Sequence, residues 1–140
     1  MKTLILLLAM LMGSLLYSQN SAENTGNITV NVPNAQTDEG AVLFALYSED
    51  NFLQGKPVYS AYSEITDGKA TGIFENVPSG TYSIVFFHDE NNNKKMDFDE
   101  NGMPLENYAT SGETASYGPP NWDESNFIYD GSDRLFEIRF

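Results

Sequence analysis

The chain opens on an almost unbroken apolar run, Leu4 to Leu16, behind a short basic start at Met1-Lys2-Thr3, and turns polar from Tyr17-Ser18-Gln19. That is the layout of a secretory signal peptide. The run is shorter than the roughly 20 residues a membrane-spanning helix needs. Residues 1–18 are therefore expected to be removed, leaving a flexible tail over 19–27 and one domain over 28–140. The mature chain is expected to be periplasmic or extracellular, without a membrane span.

Beyond the leader the patterning has a period of two. Ile28, Val30 and Val32 alternate with Thr29 and Asn31, which predicts a half-buried strand. Ala41–Tyr47 is a continuous apolar run of strand length, as expected of a strand covered on both faces. Strands are predicted at 58–65 and 70–74 around Thr66-Asp67-Gly68-Lys69, whose Asp-Gly pair tolerates the positive φ angles of a tight hairpin turn. A second turn is read at Val77-Pro78-Ser79-Gly80. After it, Tyr82, Ile84 and Phe86 alternate with Ser83, Val85 and Phe87 in a strand ending at His88. An Asp130-Gly131 turn separates final strands at 126–129 and 135–140. About seven short strands and no convincing helix predict an all-β fold, an antiparallel β-sandwich. Residues 89–125, rich in Asp, Glu, Asn, Gly and Pro, break the pattern and read as one long acidic loop. A loop of that length inside a compact domain is usually functional or disordered.

Charge and composition remove whole classes of chemistry. Twenty acidic residues against 7 basic ones give a net charge of −13. No basic patch exists to displace counterions from phosphates, so nucleic acid is excluded as a partner. The absence of cysteine excludes disulfides, thiolate metal sites and a cysteine nucleophile. A single histidine excludes a multi-histidine metal site within one chain.

The acidic loop carries one readable pattern. Counted from Asp89 as position one, Asp89, Asn91 and Asn93 stand at one, three and five, Lys95 at seven, Asp97 at nine and Glu100 at twelve. These are the ligand positions of a twelve-residue calcium loop, position seven acting through its backbone carbonyl. Calcium takes six to eight oxygens, and alternate residues on a tightly curling loop can turn theirs inward. Position six is normally glycine because the turn there needs a positive φ; here it is Lys94. A left-handed lysine costs on the order of 1 kcal/mol relative to glycine. The preceding element is a strand rather than a helix. This is therefore a calcium loop on a β scaffold and not an EF-hand, which leaves the closing position open. The alternative is a solvated acidic surface loop.

His88 beside Asp89 has the composition of a general base, but a strand-end residue bonded within its loop is the plainer reading. No hydroxyl lies in a nucleophile motif, and no enzymatic activity is expected. Tyr108, Tyr117 and Trp122 are candidates for a surface that stacks on a glycan or a surface protein, weighed against ordinary packing.

The run Phe74 to Asp97 resembles the bacterial domain-of-unknown-function family 2141. The resemblance is carried by Pro78-Ser79-Gly80-Thr81-Tyr82 and by His88-Asp89-Glu90-Asn91-Asn92-Asn93 with Asp97. Gly102-Met103-Pro104-Leu105-Glu106-Asn107-Tyr108-Ala109-Thr110-Ser111 is similar to a later stretch of the same family, and Gly118 to Glu124 adds to it. The resemblance implies a secreted bacterial β-sandwich, similar in outline to transthyretin-like or carboxypeptidase regulatory-like modules, with no established activity. The chain departs from the family's glycines at Asn92 and Lys94. Gly102, Pro104 and Glu106 are implied to shape the loop exit, with Glu106 an additional ligand. The expectation is thus a secreted, non-enzymatic module with a calcium-binding loop; the alternative is a carbohydrate- or cell-surface-binding module using its aromatics.

Overall fold

The structure is a computed structural model that describes residues 24–112 and 119–140. The expected signal peptide and Tyr117 lie outside those residues. The described chain forms strands β1 (Thr25–Val32), β2 (Ala41–Tyr47), β3 (Tyr59–Glu64), β4 (Ala70–Pro78), β5 (Gly80–Asp89), β6 (Tyr108–Thr110), β7 (Asn126–Tyr129) and β8 (Arg134–Glu137). A 3-10 turn spans Glu49–Asn51, and a short helix, α1, spans Trp122–Ser125. No helix among the described residues is long and apolar enough to cross a membrane.

Two sheets face each other. One has the order β4-β1-β8; the other runs β3-β2-β5-β6, with β7 also pairing β5. The core fills the space between them, because period-two strands send every second side chain to one face. From β1 come Ile28, Val30 and Val32; from β2, Val42, Phe44 and Leu46; from β5, Tyr82, Ile84 and Phe86. The register sets Phe44 opposite Phe86, and their rings meet at 5.4 Å.

Sequence and structure agree on the sandwich and differ in its wiring. Asp67 and Gly68 adopt φ of 52° and 69°, and Thr66 and Lys69 exchange backbone hydrogen bonds of 3.0 and 3.1 Å. The expected turn is there, but its arms do not form a hairpin. β3 pairs with β2 in one sheet, and β4 pairs with β1 in the other. The same is true at Asp130-Gly131, where β7 joins β5 and β8 joins β1. Each turn is a crossing between sheets. The β1–β8 pairing is parallel, where an antiparallel arrangement was expected. β1 starts at Thr25, three residues before the predicted strand at Ile28.

The region read as one loop over 89–125 also contains structure. β6 pairs antiparallel with β5, Phe87 opposite Tyr108, and the His88 amide donates to the Asn107 carbonyl at 2.9 Å. Residues 90–107 are therefore the connection of a long hairpin. Trp122 stands at the start of α1, where no helix was predicted, and the Asn121 side chain caps it by accepting from the Glu124 amide at 3.0 Å.

Gly72 faces the ring of Phe44: a Cβ built there would meet it at 2.6 Å. Gly72→Ala should lower stability by about 1–3 kcal/mol, the usual cost of an overpacked core. Phe44→Ala should cost about 3–5 kcal/mol through the cavity it leaves. Chemical denaturation checks both, and a Gly72→Ala variant as stable as the parent would contradict this packing.

Candidate functional site

The loop is built around the last residue of β5. Strand alternation sends Asp89 to the same face as Val85 and Phe87, the outer face of the five-stranded sheet. Even so, Asp89 is fully buried, because the chain curls back over it. Its carboxylate accepts from the Asn93 amide at 3.1 Å and from the Lys94 amide at 2.8 Å. Two acceptor oxygens out of water need donors, and the loop's own backbone supplies them.

That closure sets the local backbone. Asn92 and Lys94 have φ of 58° and 62°. Both positions where the chain departs from glycine are left-handed, as the sequence required of Lys94. Side-chain turns complete the curl. Asn91 Oδ1 accepts from the Asn93 amide at 3.0 Å, and Asn93 Oδ1 accepts from the Lys95 amide at 2.9 Å. Asn and Asp favour such turns because the side chain imitates a backbone acceptor.

The head groups then converge. Asn91 Nδ2 donates to Asp97 Oδ2 at 2.7 Å, and Asn93 Nδ2 donates to both oxygens of Asp97 at 2.9 and 2.8 Å. Asp89 and Asn91 share the Asn93 amide. Positions one, three, five and nine of the predicted loop are thus linked in one hydrogen-bonded cluster. Lys95 enters through its backbone amide, and its side chain is exposed.

Glu100 is not part of it. It is exposed, and no hydrogen bond among the described residues reaches its side chain. The reason lies in the next turn. Asp99 Oδ1 accepts from the Asn101 and Met103 amides at 2.8 and 2.9 Å, and Phe98 bridges to Pro104. Those backbone donors, Met103 first, hold the Asp99 carboxyl below the ordinary carboxylate range. Glu100 stands at the tip of this turn. The chain returns through Glu106, which is buried and accepts from the Glu90 and Asp97 amides, each at 3.2 Å. Burial is the main cause that pushes the Glu106 carboxyl above its ordinary value, against those two amide bonds; the nearby Asp89 and Asp97 add to the rise.

The carboxylates remain spread. Among the described residues, no three His, Cys, Asp or Glu side chains gather closely enough to hold a metal ion. The side-chain amides of Asn91 and Asn93 donate to both oxygens of Asp97.

His88 lies on the core face and is fully buried, with Nε2 2.7 Å from the Glu39 carbonyl. Trp122 is half-buried and stands near-perpendicular to the Phe52 ring, their centroids 5.6 Å apart, so packing occupies part of its ring. Tyr108 is half-buried on β6, on the far side of β5 from β2. The structure does not bring Tyr108 and Trp122 into ring contact with each other.

A raised carboxyl pKa has a definite sign in stability. The folded chain holds its proton more tightly than the unfolded one, so Glu106 contributes most below the ordinary range and loses that contribution as pH rises through its raised value. In chelator, the stability of the parent relative to Glu106→Gln should fall as pH rises from about 4 to about 7. A difference that is flat or rises would contradict this. Glu106→Ala should cost about 1–3 kcal/mol at the low end of that range by stripping two amides of their acceptor. Glu100→Ala should stay within about 0.5 kcal/mol.

No curated protein and no solved structure matches the chain. One family does match, over residues 30–136, and its description reads "Uncharacterized protein conserved in bacteria (DUF2141)". The match takes in both sheets and the whole acidic hairpin, and the chain belongs to this bacterial family.

Proposed function

We infer that the chain is a secreted, non-enzymatic β-sandwich module whose 89–106 hairpin loop binds calcium. The ligands would be Asp89, Asn91, Asn93, the Lys95 carbonyl and Asp97, with Glu106 in place of Glu100 as the closing carboxylate. The observation that carries this reading is the hydrogen-bonded convergence of Asp89, Asn91, Asn93 and Asp97 around a backbone that is left-handed at residues 92 and 94.

The donor set fits a hard cation. It offers carboxylate, amide and carbonyl oxygens, with no nitrogen or sulfur ligand that would favour zinc or copper. Calcium also tolerates irregular geometry and long loops, whereas magnesium demands a near-ideal octahedron and keeps its waters. Binding would require Asp89, Asp97 and Glu106 to draw closer together than they stand and the Asn91 and Asn93 amides to give up their N–H bonds to Asp97 and present oxygen instead. A terminal amide can do so by rotating, since its oxygen and nitrogen occupy almost the same volume. A bound cation would neutralise part of an acidic hairpin in a chain of net charge −13 and would stabilise the fold by linkage. The leader-like first eighteen residues support export to a compartment where weak calcium sites of about 10⁻⁴–10⁻³ M are commonly filled.

Calorimetric titration of calcium into chelator-treated protein tests this. One saturable site is expected, with Kd on the order of 10⁻⁴–10⁻³ M. Asp97→Asn should abolish it, and Glu106→Gln should weaken it about tenfold or more, the loss of one charged ligand being worth about 1.4 kcal/mol or above. Glu100→Gln should leave it within about twofold. No heat and no melting shift at several millimolar calcium would overturn the reading.

A further inference from the structure

The outer face of the five-stranded sheet is apolar, and the acidic hairpin walls it. Across the strands, Tyr62, Leu43, Phe87 and Tyr108 stand in one row, with Ala45 beside Val85 in the next. Together with the hairpin they form an open groove of about 1220 Å³. Small-molecule sites run to about 300–1,000 Å³, so the groove has room for one long ligand. Its walls leave large apolar side chains in water: Phe98 is 57% exposed and Met103 63%. Exposed apolar surface gathered in one concave place marks a binding site more often than scattered residues do.

The hairpin serves both features through alternation. Asp89, Asn91, Asn93 and Asp97 bond to one another, while Asn92, Lys94, Met96 and Phe98 line the groove. Among the described residues of that lining Lys94 alone is charged, in a chain with 20 acidic residues. Neither ion pair among the described residues involves it. An apolar trough whose described lining holds one cation and no carboxylate is complementary to a molecule with a long apolar body and one negative head.

We propose that this groove binds a single-chain anionic amphiphile, a free long-chain carboxylate, with its tail along Leu43, Val85 and Phe87 and its head on Lys94. Because Lys94 donates its backbone amide to Asp89, the position of the cation is tied to the cluster on the other side of the hairpin. Calcium should therefore strengthen amphiphile binding; that dependence alone rests on the calcium reading.

The test is fluorescence titration of the purified protein with a dansyl-tagged undecanoate at micromolar concentration, against its methyl ester, in calcium and in chelator. Saturable uptake is expected, with the acid bound at least tenfold more tightly than the ester and at least fivefold more tightly in calcium. Lys94→Gly, which relieves the left-handed backbone and cannot be suspected of misfolding through strain, should erase the preference for the acid and leave ester binding in place. Met103→Glu, at an exposed wall position, should weaken both probes. No uptake in either buffer, or equal affinity for acid and ester, would overturn the site. So would a dimer that Met103→Glu dissociates while no probe binds, because the occupant would then be a second copy of the chain. Equal affinity in calcium and chelator, in protein that titrates with calcium, would overturn the coupling. Selective uptake in protein that binds no calcium would support the groove while removing the calcium reading.

Discussion

The hairpin depends on one buried carboxylate. Asp89 ends β5 on the sheet's outer face, where an uncovered acid would ordinarily be wet. It is instead fully enclosed, and its oxygens take the amides of Asn93 and Lys94. Bringing those two amides back to Asp89 forces a tight curl, and the curl forces left-handed backbone at Asn92 and Lys94. For a lysine that conformation costs about 1 kcal/mol. Hydrogen bonds to a carboxylate are worth about 1.5–3 kcal/mol each, so the two at Asp89 outweigh the strain. The rest of the loop geometry follows from that exchange.

How far the sequence could be read depends on the range of the physics involved. Turn chemistry is local, and Asp67-Gly68 and Asp130-Gly131 turn where the sequence says they should. The choice of strand partner is not local. A tight turn joins two strands of one sheet or passes from one sheet to the other with the same φ angles, and burial of both flanking faces decides between them. β3 and β4 part because each covers opposite sides of the same core. β6 escaped detection because three residues, Tyr108–Thr110, are too few for a period to register. The apolar run Ala41–Tyr47 was more informative: its inner residues are buried in the core, while Leu43, Ala45 and Tyr47 are half-buried and line the open groove, so the strand is covered fully on one face and partly on the other.

At the candidate site the legible part ends where the backbone stops being repetitive. Positions 89 to 97 could be counted because successive side-chain turns keep odd residues on one side of the curl. Counting on to Glu100 assumed that the chain would continue as the helix of an EF-hand does. Asp99 instead captures the Asn101 and Met103 amides and reverses the chain, carrying Glu100 outward. Its place beside Asp97 goes to Glu106, a residue the spacing rule has no means of choosing and only the family resemblance pointed to.

The same alternation explains why so acidic a protein keeps an apolar face. A sheet with both faces apolar needs cover, and a hairpin made only of polar side chains could not provide it. Placing polar groups at odd positions and Met96 and Phe98 at even ones lets one segment close a hydrogen-bonded carboxylate cluster and wall the groove over Leu43 and Phe87 at once. The two duties compete at residue 94. Glycine there would relax the curl but would leave the groove without a charge. Lysine strains the curl and supplies the one cation among the described lining residues. A strained residue that improves neither the packing nor the carboxylate cluster is most economically explained by what it offers the groove.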